Sequence, residues 1–338
     1  MIILGQMWYL SEERRVFMFE NMIEQVHEKA PLIHNIINYV TANDCANIER
    51  ASGAHYIMAD TPEEAEEVAA GSDVVLINIG TIDPNFVSSA FLAARKANEM
   101  QIPVVLDPDW IGKSSYRKET VGNLLNEVGI TVIRGNFYEL KDLAGICEKT
   151  AGVSCPDAKE INEDTLPACV EYAKALSEAT GSIIVMTGAI DIICENDRVL
   201  VVRNGHASIQ KAVGTGSMLS ALVAGYVAAH PEDRFMAAAA AVSVMGVAGE
   251  RAVETAISNY AGNATLKIDI IDEVYKLNDE KLSASAKCEA FTQVDQMKSD
   301  LLAAAEDLQN AAKELSDAED IQNATEVLLS AVDKYLEE

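Results

Sequence analysis

Gly214-Thr215-Gly216-Ser217 stands directly before a run of small and apolar residues, 218–226, that contains no proline. Two glycines frame a tight turn, and the run after it reads as a buried helix. A glycine turn opening a helix aims unpaired backbone N–H groups and the positive end of the helix dipole at one point. That geometry binds anions, phosphate above all. An ordinary helix entry carries the same short pattern, so the reading depends on what else the chain supplies.

The chain supplies a set of polar residues, each closing an apolar run. Asn78 follows 73–77, Asp107 follows 103–106, Arg134-Gly135-Asn136 follows 131–133, and Thr187-Gly188 follows 182–186. Arg134 suits a phosphate contact or a surface ion pair. Asp107, before Pro108, suits a ligand contact or a turn cap. In open α/β sheets ligands bind beyond the carboxyl ends of the strands, so these residues and the glycine turn point to one crevice.

The elements that must position them follow from periodicity. Apolar runs without alternation are expected as strands at 53–59, 73–80, 103–108, 131–136 and 182–188. Residues 191–195 and 198–203 read as a hairpin around Asn196-Asp197. Helices are expected at 19–29, at 62–70 with Thr61 as cap and Pro62 in first position, and at 85–101, 119–128, 137–144, 167–180 and 234–255. Residues 31–47 are rich in Asn and His and read as a loop and helix start. Residues 146–164 read as a loop or insertion. Strands and helices alternate, which implies an α/β fold with a mostly parallel sheet covered on both faces.

The composition narrows the function. The 338 residues include 26 Lys and Arg against 53 Asp and Glu, a formal charge of −27, and 49% are hydrophobic. Such acidity argues against nucleic-acid and anionic-membrane partners. It permits an anionic ligand held by backbone amides and a metal ion. The six cysteines are scattered without a Cys-x-x-Cys pair, which fits reduced, buried thiols rather than zinc or a disulfide framework. No signal-peptide layout or apolar run of membrane-spanning length is apparent, and the cytoplasm is the expected compartment. Residues 1–21 read as an N-terminal extension and 22–282 as the main domain. From 283 to 338 glycine and proline disappear, and leucine stripes on an acidic background predict a helical hairpin or coiled coil with a packing role.

Residues 22–279 resemble the hydroxyethylthiazole kinase family of the ribokinase-like superfamily. The matching stretches are PLIHNIINYV with Asn43 and Ala46-Asn47; Met58-Ala59 followed by Pro62-Glu63-Glu64; LINIGTID; QIPVVLDP; VIRGNFYEL; VMTG with Asp191; and NGHASIQKAVGTGSML. The resemblance implies a three-layer ribokinase-like fold. It also implies phosphorylation of the primary alcohol of 4-methyl-5-(2-hydroxyethyl)thiazole by ATP and Mg2+ in thiamine salvage, in a homotrimer with active sites between subunits. By the same resemblance Ser217, Gly214, Thr215 and Gly216 stand at the catalytic turn. Met58, Gly214, Asn38 and His34 would serve the thiazole, Arg134, Thr187 and Asn136 would serve ATP, and Asp107 and Glu139 would face the metal. Met58 equally suits a core position, and His34 a structural hydrogen bond.

The chain departs from the pattern at four places. Ser217 stands where the family has cysteine. Asp109-Trp110-Ile111-Gly112-Lys113 replaces valine and a Gly-x-Gly-Ala-Thr-like turn. Ile37 replaces a common threonine, and Ala189 a glutamate. Three readings follow: a thiazole-alcohol kinase, a kinase for another small alcohol, and a non-catalytic homologue that binds nucleotide or thiazole.

Overall fold

A computed structural model describes residues 19–146 and 155–292. Of the extension expected at 283–338 as a helical hairpin or coiled coil, residues 293–338 lie outside the described residues, as does most of the N-terminal extension.

The described strands form one nine-stranded sheet. In chain order they are β1 (Leu32–Ile36), β2 (His55–Met58), β3 (Val74–Asn78), β4 (Val104–Asp107), β5 (Val132–Asn136), β6 (Ile183–Thr187), β7 (Asp191–Glu195), β8 (Arg198–Val202) and β9 (Cys288–Ala290). Their order in space is β2-β1-β3-β4-β5-β6-β7-β8-β9. The first six pair in parallel and the last three continue as an antiparallel ribbon. After β1 the chain steps outward to β2, then crosses back to build β3 on the other side. The topological switch point therefore lies between β1 and β3.

Ten of the helices cover the two faces. They are α1 (Met22–Lys29), α2 (Ala42–Ala51), α3 (Ala65–Ala70), α4 (Pro84–Glu99), α5 (Ser115–Glu127), α6 (Phe137–Ala144), α7 (Leu166–Thr180), α8 (Thr215–Ala229), α9 (Arg234–Ser258) and α10 (Asn263–Lys276). Strand residues alternate between two cores. Val74 and Leu76 join the layer of α1, α2, α8, α9 and α10, whereas Val75 and Ile77 join that of α3 to α7. The architecture is a three-layer α/β fold. Local signals start several helices. Asp83 accepts from the amides of Asn85 at 2.8 Å and Phe86 at 2.9 Å, with Pro84 in the first turn of α4. Ser114 caps α5 and Asp233 caps α9 in the same way.

Four expectations change. Residues 32–36, read as loop, form β1, paired on both sides. The polar side chains that suggested a loop find partners inside the fold. His34 Nε2 bonds the Ala59 carbonyl at 2.7 Å, and Asn35 Nδ2 donates to Glu49 Oε2 at 3.3 Å. The helix expected from Pro62 begins at Ala65, because 62–64 form a turn in which Thr61 Oγ1 donates to Glu64 Oε1 at 3.2 Å instead of capping the backbone. Helix α9, at 25 residues, is long and apolar enough to cross a membrane by length and composition. It packs against α8 and α10, with 83% of its most apolar window inside the fold, so its composition reflects a core position. Finally, a short helix, α11 (Asp279–Ser285), spans the composition boundary at 283, and β9 beyond it pairs with β8.

Glu49 is fully buried on α2, and burial pushes its carboxyl well above the ordinary range. Glu49 Oε1 and Asn35 Oδ1 both lack partners. A proton on Glu49 supplies the donor that the pair lacks. Because the folded state keeps a proton that the unfolded chain releases, this contribution is complete below the ordinary carboxylate range, about pH 4.3. It is then lost as pH rises toward the folded-state value, by up to about 1.4 kcal/mol per pH unit. Glu49→Gln keeps the hydrogen-bonding capacity without the titration. Urea midpoints measured from pH 5 to 8 should show the variant gaining on the wild type as pH rises. A constant difference across that range would refute a neutral Glu49.

Candidate active site

The carboxyl ends of the parallel strands deliver their polar residues to one network. Asn78 ends β3 and lies in register with Asp107, which ends β4. Asn78 Nδ2 donates to Asp107 Oδ2 at 2.7 Å and to Ser217 Oγ at 3.3 Å. Asn38, two residues past β1, donates through Nδ2 to Asn78 Oδ1 at 2.8 Å and to Ser217 Oγ at 3.4 Å. Thr41 orients Asn38, its amide and hydroxyl each donating to Asn38 Oδ1 at 3.0 Å. Ser220 Oγ donates to Asp107 Oδ2 at 2.7 Å from one turn further along α8. Three strands and a helix are thus joined through buried side chains at the switch point.

The glycine turn enters this network. Gly214 caps α8 with φ 96°, a left-handed conformation that a side chain strains. A Cβ there would also lie 3.0 Å from Thr41 Cγ2. At Gly216 a Cβ would lie 2.9 Å from Arg134 Nη1, so glycine lets the guanidinium rest on the first turn of α8. Arg134 is held by Thr187, to whose Oγ1 it donates at 3.0 Å, and stands 3.7 Å from Asp107 Oδ2. Its Nε is buried with no partner. The first-turn amides of α8 and this guanidinium face a cavity of about 280 Å3. Its rim is apolar and exposed at Val40, Val213 and Trp110. The Trp110 indole is 57% exposed and leaves the cavity open.

Three carboxyl groups, Asp107, Asp109 and Glu139, line the same cavity. Asp109 is pushed up to about 7 by burial, reinforced by the charges of Asp107 and Glu139. Glu139 is raised by burial and by the charge of Asp107. Among the described residues no three acidic, His or Cys side chains converge on a point as a complete metal cage. The donor set nonetheless fits a hydrated divalent ion shared with phosphate oxygens, since Asp107 Oδ1 is buried without a partner beside the cavity.

Of the residues singled out from the sequence, the cavity gathers Asn38, Gly214, Gly216, Ser217, Arg134, Asn136, Asp107 and Glu139. Thr187 acts from behind, through Arg134. Thr215 turns its hydroxyl back to the Ala212 carbonyl at 3.2 Å. His34 is buried against Ala59, and Met58 lies at the end of edge strand β2, 39% exposed. Neither lines the cavity. Asn136 has a second task. Its Oδ1 accepts from the amides of Tyr138 and Glu139, both at 3.0 Å, while Glu139 Oε2 accepts from the Asn136 amide at 2.9 Å. This capping box starts α6, and its Asn-x-x-Glu spacing is a sequence signal.

Sequence reasoning assigned no site role to Gly80, Arg117 or Asp109, the last noted only as the start of a departure from the family pattern. Arg117, on α5, donates to the carbonyls of Ile79, of Gly80 at 2.8 Å and of Asp109 at 3.1 Å, tying the loops after β3 and β4 together. A Cβ on Gly80 would lie 2.5 Å from Asp109 Oδ2 and 2.8 Å from Asn38 Nδ2. No local pattern marks these residues, because each matters only when two strand ends are brought together.

The Hydroxyethylthiazole kinase family model matches residues 23–280. A hydroxyethylthiazole kinase from Clostridium acetobutylicum is 43% identical over 274 residues, covering 81% of this chain and all of that protein. A solved structure of a hydroxyethylthiazole kinase protein from Pyrococcus horikoshii superposes with a TM-score of 0.71 at 31% identity, covering 82% of this chain and 99% of that one. A ribokinase-like superfamily protein from Enterococcus faecalis, at 14% identity and TM-score 0.51, shares the fold. With the matched segment spanning the sheet from β1 to β8 and every element that lines the cavity, the chain belongs to the hydroxyethylthiazole kinase family.

Proposed function

We propose that this chain transfers the γ-phosphoryl group of ATP to the primary alcohol of 4-methyl-5-(2-hydroxyethyl)thiazole, the reaction that salvages this thiazole for thiamine. One observation carries the reading. The free amides at the start of α8, the Arg134 guanidinium and the Asp107 carboxylate face one another across a single cavity at the switch point. Phosphoryl transfer asks for alignment and for donors aimed at oxygens that carry spreading negative charge. The amides of Gly216 and Ser217 and the guanidinium would meet those oxygens, and Arg134, held in place by Thr187, would bind the nucleotide phosphates. Magnesium, faced by Asp107 and Glu139 directly or through water, would neutralise phosphate charge. The exposed apolar rim, with Tyr39 beside it 80% exposed, suits burial by a neighbouring subunit, in keeping with a homotrimer.

Ser217 shapes the rate. Its Oγ accepts from the amides of Asn38 and Asn78, so the hydroxyl is left to donate. It would orient the substrate oxygen without removing its proton. This favours a slow kinase, because general-base catalysis typically contributes at least 100-fold.

A coupled ADP-release assay with the thiazole alcohol, beside a panel of pyrimidine and sugar alcohols, tests the substrate. Preference for another alcohol would overturn the thiazole reading, and nucleotide binding without turnover on any of them would overturn the kinase reading. Ser217→Asp should raise kcat by about tenfold or more by supplying a base. An unchanged kcat in a folded variant would remove the need for one. Gly216→Ala favours the helix but pushes a methyl group against Arg134. Calorimetry with a non-hydrolysable ATP analogue should show binding weakened about tenfold, or 1.4 kcal/mol, with thermal stability kept. Unchanged affinity would place the nucleotide phosphates away from Arg134.

A further inference from the structure

An ion pair stands behind the glycine turn, outside the lining of the cavity. Asp44 lies in the first turn of α2 and Lys267 in α10, and Lys267 Nζ donates to Asp44 Oδ2 at 2.8 Å. Both side chains are largely out of water, 15% exposed for Asp44 and 29% for Lys267. The same Asp44 Oδ2 reaches the turn, since a Cβ on Gly214 would lie 3.2 Å from it. A carboxylate in the first turn of α2 suits the dipole of that helix. The dipole does not call for a lysine brought from 223 residues further along the chain.

Helix α8 explains the lysine. Its cap residue is glycine, so it has no side-chain cap of its own. Aspartate is among the best capping residues, because free amides and the positive end of the dipole attract a carboxylate. Asp44 Oδ2 lies close to where a side chain on Gly214 would begin, so an unrestrained Asp44 has both the chemistry and the position to cap α8. Such a bond would take up amides that face the cavity and set a negative charge where phosphate oxygens arrive. The bond that Asp44 makes instead goes to Lys267.

We propose that Lys267 is a positioning residue that holds Asp44 off the start of α8 and neutralises its charge, which keeps the turn open to phosphate. The proposal rests on the reading of that turn as the phosphate seat. Lys267 does not line the cavity, so it acts through Asp44 rather than by touching the ligand. A half-buried pair is screened less by salt and water than an exposed one, which lets a single ammonium matter at the turn.

Calorimetry on the full chain with two probes, pyrophosphate and a non-hydrolysable ATP analogue, provides the test. Lys267→Met should weaken binding of both about tenfold, because it releases Asp44. Asp44→Ala combined with Lys267→Met should bring affinity back to within about threefold of the wild type. A merely structural brace would show no such rescue, since removing its second member repairs nothing. Unchanged affinity in Lys267→Met overturns the proposal and leaves the phosphate reading intact, and so does a double variant as weak as Lys267→Met. A wild type that binds neither probe overturns both. Where Lys267→Met does not fold, Lys267→Gln, alone and with Asp44→Ala, serves in the same comparison.

Discussion

The structure turns on the carboxylate of Asp107. It sits at the end of β4, almost wholly out of water, and a buried carboxylate is tolerable only with donors around it. Those donors come from three directions: Asn78 on β3, Ser220 on α8 and, at longer range, Arg134 on β5. β5 and α8 themselves line the cavity, and the loop that follows β3 does so at Gly80 and Thr81. The need to satisfy one buried group therefore fixes the relative positions of β3, β4, β5 and the helix that carries the glycine turn.

The sheet makes this convergence possible. Crossing from one side of β1 to the other leaves an opening between the loops after β1 and β3, and Asn38 and Gly80 stand on its two sides. Close packing then brings α8 down onto that opening. Ala221 and Ala224 of α8 and Ala237–Ala241 of α9 are all buried. Small residues behind the site let the helix start lie near the strand ends, while the glycines in front leave room for Arg134 and Thr41.

Charge in the cavity is divided by element. The helix start and Arg134 offer donors, whereas the ends of β4 and α6 and the loop after β4 offer carboxylates. The two sets meet at Arg134 and Asp107. Arg117 works at one remove, since its three carbonyl contacts hold the loops that carry Gly80 and Asp109. Ser217 lies at the centre, its hydroxyl oxygen accepting from the side-chain amides of Asn38 and Asn78.

The local code was legible wherever a residue's role depended on its neighbours in sequence. Apolar runs marked most of the parallel strands, Asp83-Pro84 marked the start of α4, and Gly214-Thr215-Gly216-Ser217 marked an anion-binding helix entry. Strand-terminal Asn78, Asp107 and Arg134 were visible because polar groups rarely interrupt such runs without cause. The order of residues along the chain sufficed for the alternating α/β plan and the chemical inventory at the strand ends. Tertiary structure alone decided that His34 and Asn35 belong inside a strand, since their partners at Ala59 and Glu49 come from other elements. It alone decided that Asp109 faces the cavity while Met58 and His34 do not. The physical reason is common to all three: burial and hydrogen bonding depend on which chain segments meet in space, and no local run of residues encodes that meeting.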